Sequence, residues 1–198
     1  MNLARPAALA ALLLTTALLP APTSARQTEA GAGILYGTNH AFGFVAPKGW
    51  VLDTQVAADL GVYAAFYPKG TTWQNSRAVA YARARDRTAA IQTGDDVARD
   101  TVAEFRRDGN PHEKTRFAGA IRAGKTIGRM FYFTGDRYGN YEAAVYFAER
   151  KTINFFVLTA RDKWEFERSL PAFRALTASY VFVSDAAHED TKIEGTPN

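Results

Sequence analysis

From Ala78 to Arg85 the chain alternates residue by residue. Ala78, Ala80, Ala82 and Ala84 fall on one side of an extended backbone, and Val79, Tyr81, Arg83 and Arg85 on the other. This period of two predicts a strand over 78–85. A face made only of alanine lets a helix backbone come close, so the strand is placed under a helix. The period then changes. Ala98, Val102 and Phe105 recur at i, i+4 and i+7, with Asp95 and Asp96 in front, Arg106 and Arg107 behind, and Gly109 and Pro111 beyond. Acidic groups suit the positive end of a helix dipole and basic groups its negative end, which predicts a helix over 95–108. Strand patterning returns near 114–121, 126–134, 140–149 and 152–160, joined by turn-like segments at 135–139 and 149–151. Ile153 to Leu158 is apolar except for Asn154. Such a run fits a strand covered on both faces, so it is placed at the centre of a sheet.

Shorter strands are predicted at 33–36, 42–46 and 62–67. Pro47-Lys48-Gly49 and Pro68-Lys69-Gly70 each set Pro and Gly two apart, which reads as positions i+1 and i+3 of a type I turn. A second helix starts at Asp162, with Glu165 three residues on as a variant capping box. Phe166, Leu170, Phe173 and Thr177 share a face of it, and Pro171 is expected to kink or restart it. Residues 180–183 suit a closing strand. The pattern therefore predicts an α+β fold, an antiparallel sheet with helices packed on it. It forms one domain over 33–183, between a polar lead-in at 26–32 and a tail at 184–198 without apolar periodicity.

Residues 1–25 read differently. Arg5 precedes an uncharged apolar run from Ala7 to Leu19, too short for a lasting membrane span. Pro20 and Pro22 break the run, and Thr23-Ser24-Ala25 offers small residues for cleavage after Ala25. The segment is read as a secretory signal peptide. The mature chain is accordingly expected in the periplasm or secreted, without stable membrane insertion. It would keep 173 residues, with 23 basic against 20 acidic side chains, a net charge of +3. That balance is too mild and too unclustered for a nucleic-acid binder. The absence of cysteine excludes disulfides, thiolate nucleophiles and cysteine-based metal sites.

Few residues carry candidate chemistry. Gly119 to Thr126 matches the phosphate-loop pattern G-x-x-x-x-G-K-T, but that chemistry needs a helix beginning at the lysine. Here the β-rich stretch 127–133 follows, so the match is read as a hairpin turn. Arg83, Arg85 and Arg87 are spaced to line one strand face and, with Tyr81, make the candidate contact surface for a carboxylate, a phosphate or an acidic protein. Trp73, in a polar loop at 71–77, and Tyr138, in the turn at 135–139, are candidate recognition tips or lids. His40, His112 and His188 are expected in loops or the tail and share no metal-ligand spacing, and His112-Glu113 is expected in a solvated turn. No catalytic constellation emerges, and no cofactor or metal is expected.

Three stretches carry a resemblance. Gly43-Phe44-Val45-Ala46-Pro47-Lys48-Gly49-Trp50 resembles the strand, turn and tryptophan that open the PsbP-like domain. Gly124-Lys125-Thr126 before an aromatic strand is similar to that family's mid-domain hairpin. Asp162-Lys163-Trp164, Phe173 and Ser179-Tyr180-Val181-Phe182 resemble its last helix and closing strand. The likeness spans about 34–183. It implies an α/β/α sandwich and a role in docking onto other macromolecules, since members include extrinsic photosystem II proteins, a Ran-binding nuclear protein and exported bacterial proteins. It carries no catalytic motif onto these positions, and a shared fold does not transfer a partner. The resulting expectation is an exported, non-enzymatic module that docks onto a protein or an envelope assembly. The alternatives are a small-ligand or ion carrier with a pocket between sheet and helix, and an enzyme with dispersed residues. A polar-lined pocket with shifted carboxylates would favour the alternatives; an exposed aromatic and arginine patch over a filled core would favour docking.

Overall fold

The computed structural model describes residues 28–29, 31–110 and 113–185. Residues 1–25, which the sequence reads as a signal peptide, together with Pro111, His112, His188 and the tail from 186 onward, lie outside the described residues. The lead-in contributes strand β1 (Thr28–Glu29), followed by β2 (Ala32–Gly37), β3 (His40–Val45) and β4 (Trp50–Asp53). A short helix α1 (Thr54–Leu60) precedes β5 (Ala64–Pro68), β6 (Ala78–Asp86) and helix α2 (Gly94–Arg107). A meander of β7 (Lys114–Ala123), β8 (Thr126–Thr134), β9 (Tyr141–Ala148) and β10 (Thr152–Ala160) leads to helix α3 (Lys163–Ala178) and β11 (Val181–Ser184).

Two antiparallel sheets result. Eight strands run in the order β1–β4–β5–β6–β10–β9–β8–β7, and three more in the order β11–β3–β2. The α+β class stands, but the segments expected at 33–36, 42–46 and 180–183 form a sheet of their own instead of extending the large one. β10 is paired on both sides, with Phe156 opposite Ala82 of β6 and Val145 of β9. Its side chains alternate between two cores. Phe156, Leu158 and Ala160 join Phe42, Phe44, Phe66, Phe173 and Leu176, between the large sheet and a layer made of α3 and the small sheet. Ile153 and Val157 join Val97, Ala98 and Val102 beneath α2. The alanine face of β6 packs into the first core, under α3.

Local chemistry explains the boundaries and the departures. Thr93 caps α2 by accepting from the Asp96 N–H at 3.2 Å, and the Asp96 carboxylate reciprocates by accepting from the Thr93 N–H at 2.8 Å. α3 starts where Asp162 accepts from the Glu165 N–H at 2.9 Å. It runs through Pro171 without restarting. Pro171 and Glu167, whose carbonyl loses its i+4 donor, both face solvent, where water can satisfy that carbonyl. The two Pro-Lys-Gly turns are shifted by one residue from the sequence expectation. Trp50 N–H bonds Pro47 O at 3.0 Å and Thr71 N–H bonds Pro68 O at 3.1 Å, so proline is position i. Gly49 and Gly70, at φ +81° and +86°, then occupy the left-handed i+2 position that type II turns reserve for glycine. Helix α1 was not expected. Asp53 caps it by accepting from the Val56 N–H at 2.9 Å and from the Tyr67 hydroxyl at 2.6 Å. The phosphate-loop match is a β7–β8 hairpin with Gly124 at φ +56° and Lys125 exposed.

Candidate functional site

The arginine stripe does not gather into one surface. β6 turns Tyr81 and Arg85 toward α2: Tyr81 packs on the core beneath that helix, where burial pushes its phenol well above its usual range. Arg85 pairs with Asp100 of α2 at 2.6 Å, a half-exposed ion pair worth at most about 1 kcal/mol. Arg87 donates to Glu149 O at 2.9 Å and to the Gln92 side chain at 2.7 Å, tying β6 to the β9–β10 turn. Arg83 is the exposed member. Trp73 is half-buried in its loop. Tyr138 is 69% exposed, and the Arg137 guanidinium lies 4.8 Å from its ring centre. His40, expected in a loop, begins β3 and is buried edge-on against Tyr63, with ring centres 5.0 Å apart. Burial lowers its pKa, against a smaller opposing pull from Asp86.

Two features that the sequence did not single out stand out instead. The first is the outer face of the small sheet. Its inner face carries Phe42, Phe44 and Phe182 into the core. Strand alternation therefore sends Ile34, Tyr36, Val45, Val181 and Val183 outward, and all five are about half exposed or more. In the register, Ile34 and Val181 flank Gly43, whose missing side chain leaves a dent at the middle of the face. Position 45 is held from below, because the Ser179 hydroxyl at the end of α3 accepts from the Val45 N–H at 2.8 Å. The alternation at 34 and 36 was visible in the sequence. Which face a second layer would cover was not.

The second is a cavity of about 210 Å³ between the end of α2 and the β8–β9 end of the large sheet, where Phe105, Phe133 and Tyr138 meet Glu113, Asp136 and Glu142. Glu113, expected in a solvated turn, is only 2% exposed. Its Oε2 finds no hydrogen-bond partner among the described residues. Burial first, then the Glu142 and Asp136 carboxylates, push its pKa up to about 7, with Arg106 pulling the other way. Glu142 is also raised, chiefly by burial, although the Thr159 hydroxyl donates to it at 2.7 Å. Asp136 is satisfied locally by the N–H groups of Tyr138 and Asn140 and by the Asn140 side-chain amide. No group of three or more acidic and histidine side chains among the described residues is arranged to hold a metal ion. No described helix is long and apolar enough to cross a membrane.

The arrangement of sheets and helices is similar to the solution structure of cyanobacterial PsbP (CyanoP) from Synechocystis sp. PCC 6803. The TM-score is 0.52 at 14% identity, over 84% of this chain and 99% of that one. At that identity the likeness concerns the fold, which is PsbP-like. No protein-family model matches the sequence, and no curated protein does.

Proposed function

We propose that this PsbP-like chain is an exported, non-enzymatic docking module that engages a protein partner through the outer face of its small sheet. One observation carries the reading: five large apolar side chains from three strands share that face and stay in solvent. Contiguous exposed apolar patches mark interaction sites on soluble proteins, whereas single exposed apolar residues do not. Size selects the kind of partner. Three strands of six residues or fewer cover roughly 20 Å by 14 Å, or about 300 Å². A stable homodimer needs about 800 Å² from each copy. The face is too small for two copies to hold each other through it alone. It suits a brief contact with a different protein that places one apolar side chain in the dent over Gly43, between Ile34 and Val181. Export rests on the reading of residues 1–25, and the lack of catalysis on the absence of any local catalytic motif.

The double substitution Val45→Glu with Val181→Glu tests this. Both positions are exposed, so folding stability should change by about 0.5 kcal/mol or less per site. After chemical crosslinking in the living host, which captures a brief contact, the wild-type chain is expected to elute in a larger assembly and the double variant as a free chain. Identical elution of the two overturns the reading. A concentration-dependent dimer of the pure protein that the same variant abolishes would replace the partner protein with a second copy.

A further inference from the structure

The cavity at the end of α2 goes beyond the docking reading, and its chemistry is of another kind. Its walls are aromatic, and its polar groups are the three carboxylates together with the Asn110 and Asn140 amides. An electron-rich ring face attracts a cation, more strongly where water is excluded. The Glu113 carboxylate, almost wholly buried and with one oxygen unpartnered among the described residues, is what an unused binding position looks like. An unmet buried charge is costly unless something supplies the missing donors. We propose that this cavity binds a small organic ammonium ion, of the kind carried by a short alkylamine. Glu113 and Glu142 meet the charged nitrogen, and Phe105, Phe133 and Tyr138 enclose the attached carbons.

Three considerations fix the ligand class. An inorganic dication wants six or more oxygen ligands at bonding distance, and the described carboxylates do not converge in that way. Such an ion gains little from three rings, which suit an ammonium with an apolar body. The volume of about 210 Å³ also lies below the usual range for drug-sized ligands, so the ligand is small. Two guanidiniums border the cavity. The Arg106 guanidinium donates to the Glu113 backbone carbonyl at 3.1 Å, and Arg137 lies over Tyr138. With all groups ionised, three carboxylates outweigh these two guanidiniums.

Titration calorimetry of the full chain at pH 8, with n-butylammonium chloride as the probe, tests the proposal. Neutral n-butanol and calcium chloride serve as controls. Butylammonium is expected to bind and butanol not to. Glu113→Gln and Glu142→Gln should each weaken binding by about tenfold or more, the scale of a lost hydrogen bond to a charge. Glu167→Gln, at an exposed acid on α3, should leave it unchanged. Butanol binding as well as the amine overturns the proposal, as does full affinity in both cavity variants. Calcium binding more tightly than the amine, with the same dependence on Glu113, also overturns it, and so does the absence of amine binding at every concentration tried. Thermal melts of each variant separate loss of the site from loss of the fold. The Val45→Glu, Val181→Glu chain should still bind the amine, so failure of the site and failure of the docking face can be told apart.

Discussion

Phe156→Ala is expected to remove about 4 kcal/mol of unfolding free energy, a large share of the 5–15 kcal/mol typical of a domain. Phe156 has no solvent exposure and lies on the central strand β10. Its ring centre is 5.9 Å from those of both Phe42 and Phe44, and 6.4 and 6.5 Å from those of Phe147 and Tyr180, each near perpendicular. The residue therefore links the large sheet, the small sheet and the start of the closing strand. Truncation loses both the buried area and these edge-on contacts, and leaves a cavity that four rigid rings cannot collapse into. Urea unfolding measures the loss. A cost near 1 kcal/mol would show that the small sheet is not anchored through this ring.

Glu113→Gln is expected to do the opposite, and only at high pH. In the folded chain the Glu113 carboxyl is held up to about 7, against 4.5 for the free group. Between those values the folded state keeps a proton that the unfolded state has released. The stability from this group is therefore complete below pH 4.5 and is lost as pH rises through 7. The shift corresponds to about 3 kcal/mol at most, or about 2 kcal/mol once screening by solvent is allowed for. Glutamine never ionises, so the variant should match wild type near pH 4 and exceed it by about 2 kcal/mol at pH 8. The groups that set this balance are Glu142 on β9, Asp136 in the β8–β9 turn and Arg106 on α2. Glu142 and Glu149 are also raised by burial and tilt the whole pH profile the same way, so the difference between variant and wild type carries the test. A difference that does not change with pH would show that Glu113 is not held neutral by burial.

Elements with strong local patterning were legible in the sequence. The alternation at 78–85 gave β6 and its helix-covered alanine face. The charge order around 95–107 gave α2, and the run 153–158, apolar but for Asn154, gave the central position of β10. The partner of each strand was not legible. β11 pairs with β3 across nearly the whole chain, so its membership of a second sheet depends on contacts that no local pattern encodes. At seven residues, α1 is too short to show a period, although Asp53 and Gly61 mark its ends. The candidate surface failed to assemble for a related reason. The spacing of Arg83, Arg85 and Arg87 was correct, but Asp100, Gln92 and the Glu149 carbonyl, which occupy two of them, come from other elements. Glu113 carries the polar signature of a turn, and its burial arises from the meeting of α2 with the β8–β9 turn.

The most direct measurement of the docking claim is photo-crosslinking in the living host from single positions of the full chain. A photoreactive side chain is placed at 45, on the outer face of the small sheet, at 83, on the arginine strand, and at 164, an exposed position on α3. The account predicts one dominant adduct of fixed mass from position 45, lost when Val181→Glu is added, with none from 83 or 164. An adduct from position 83 with none from 45 would contradict it, and would return the contact surface to the arginine strand.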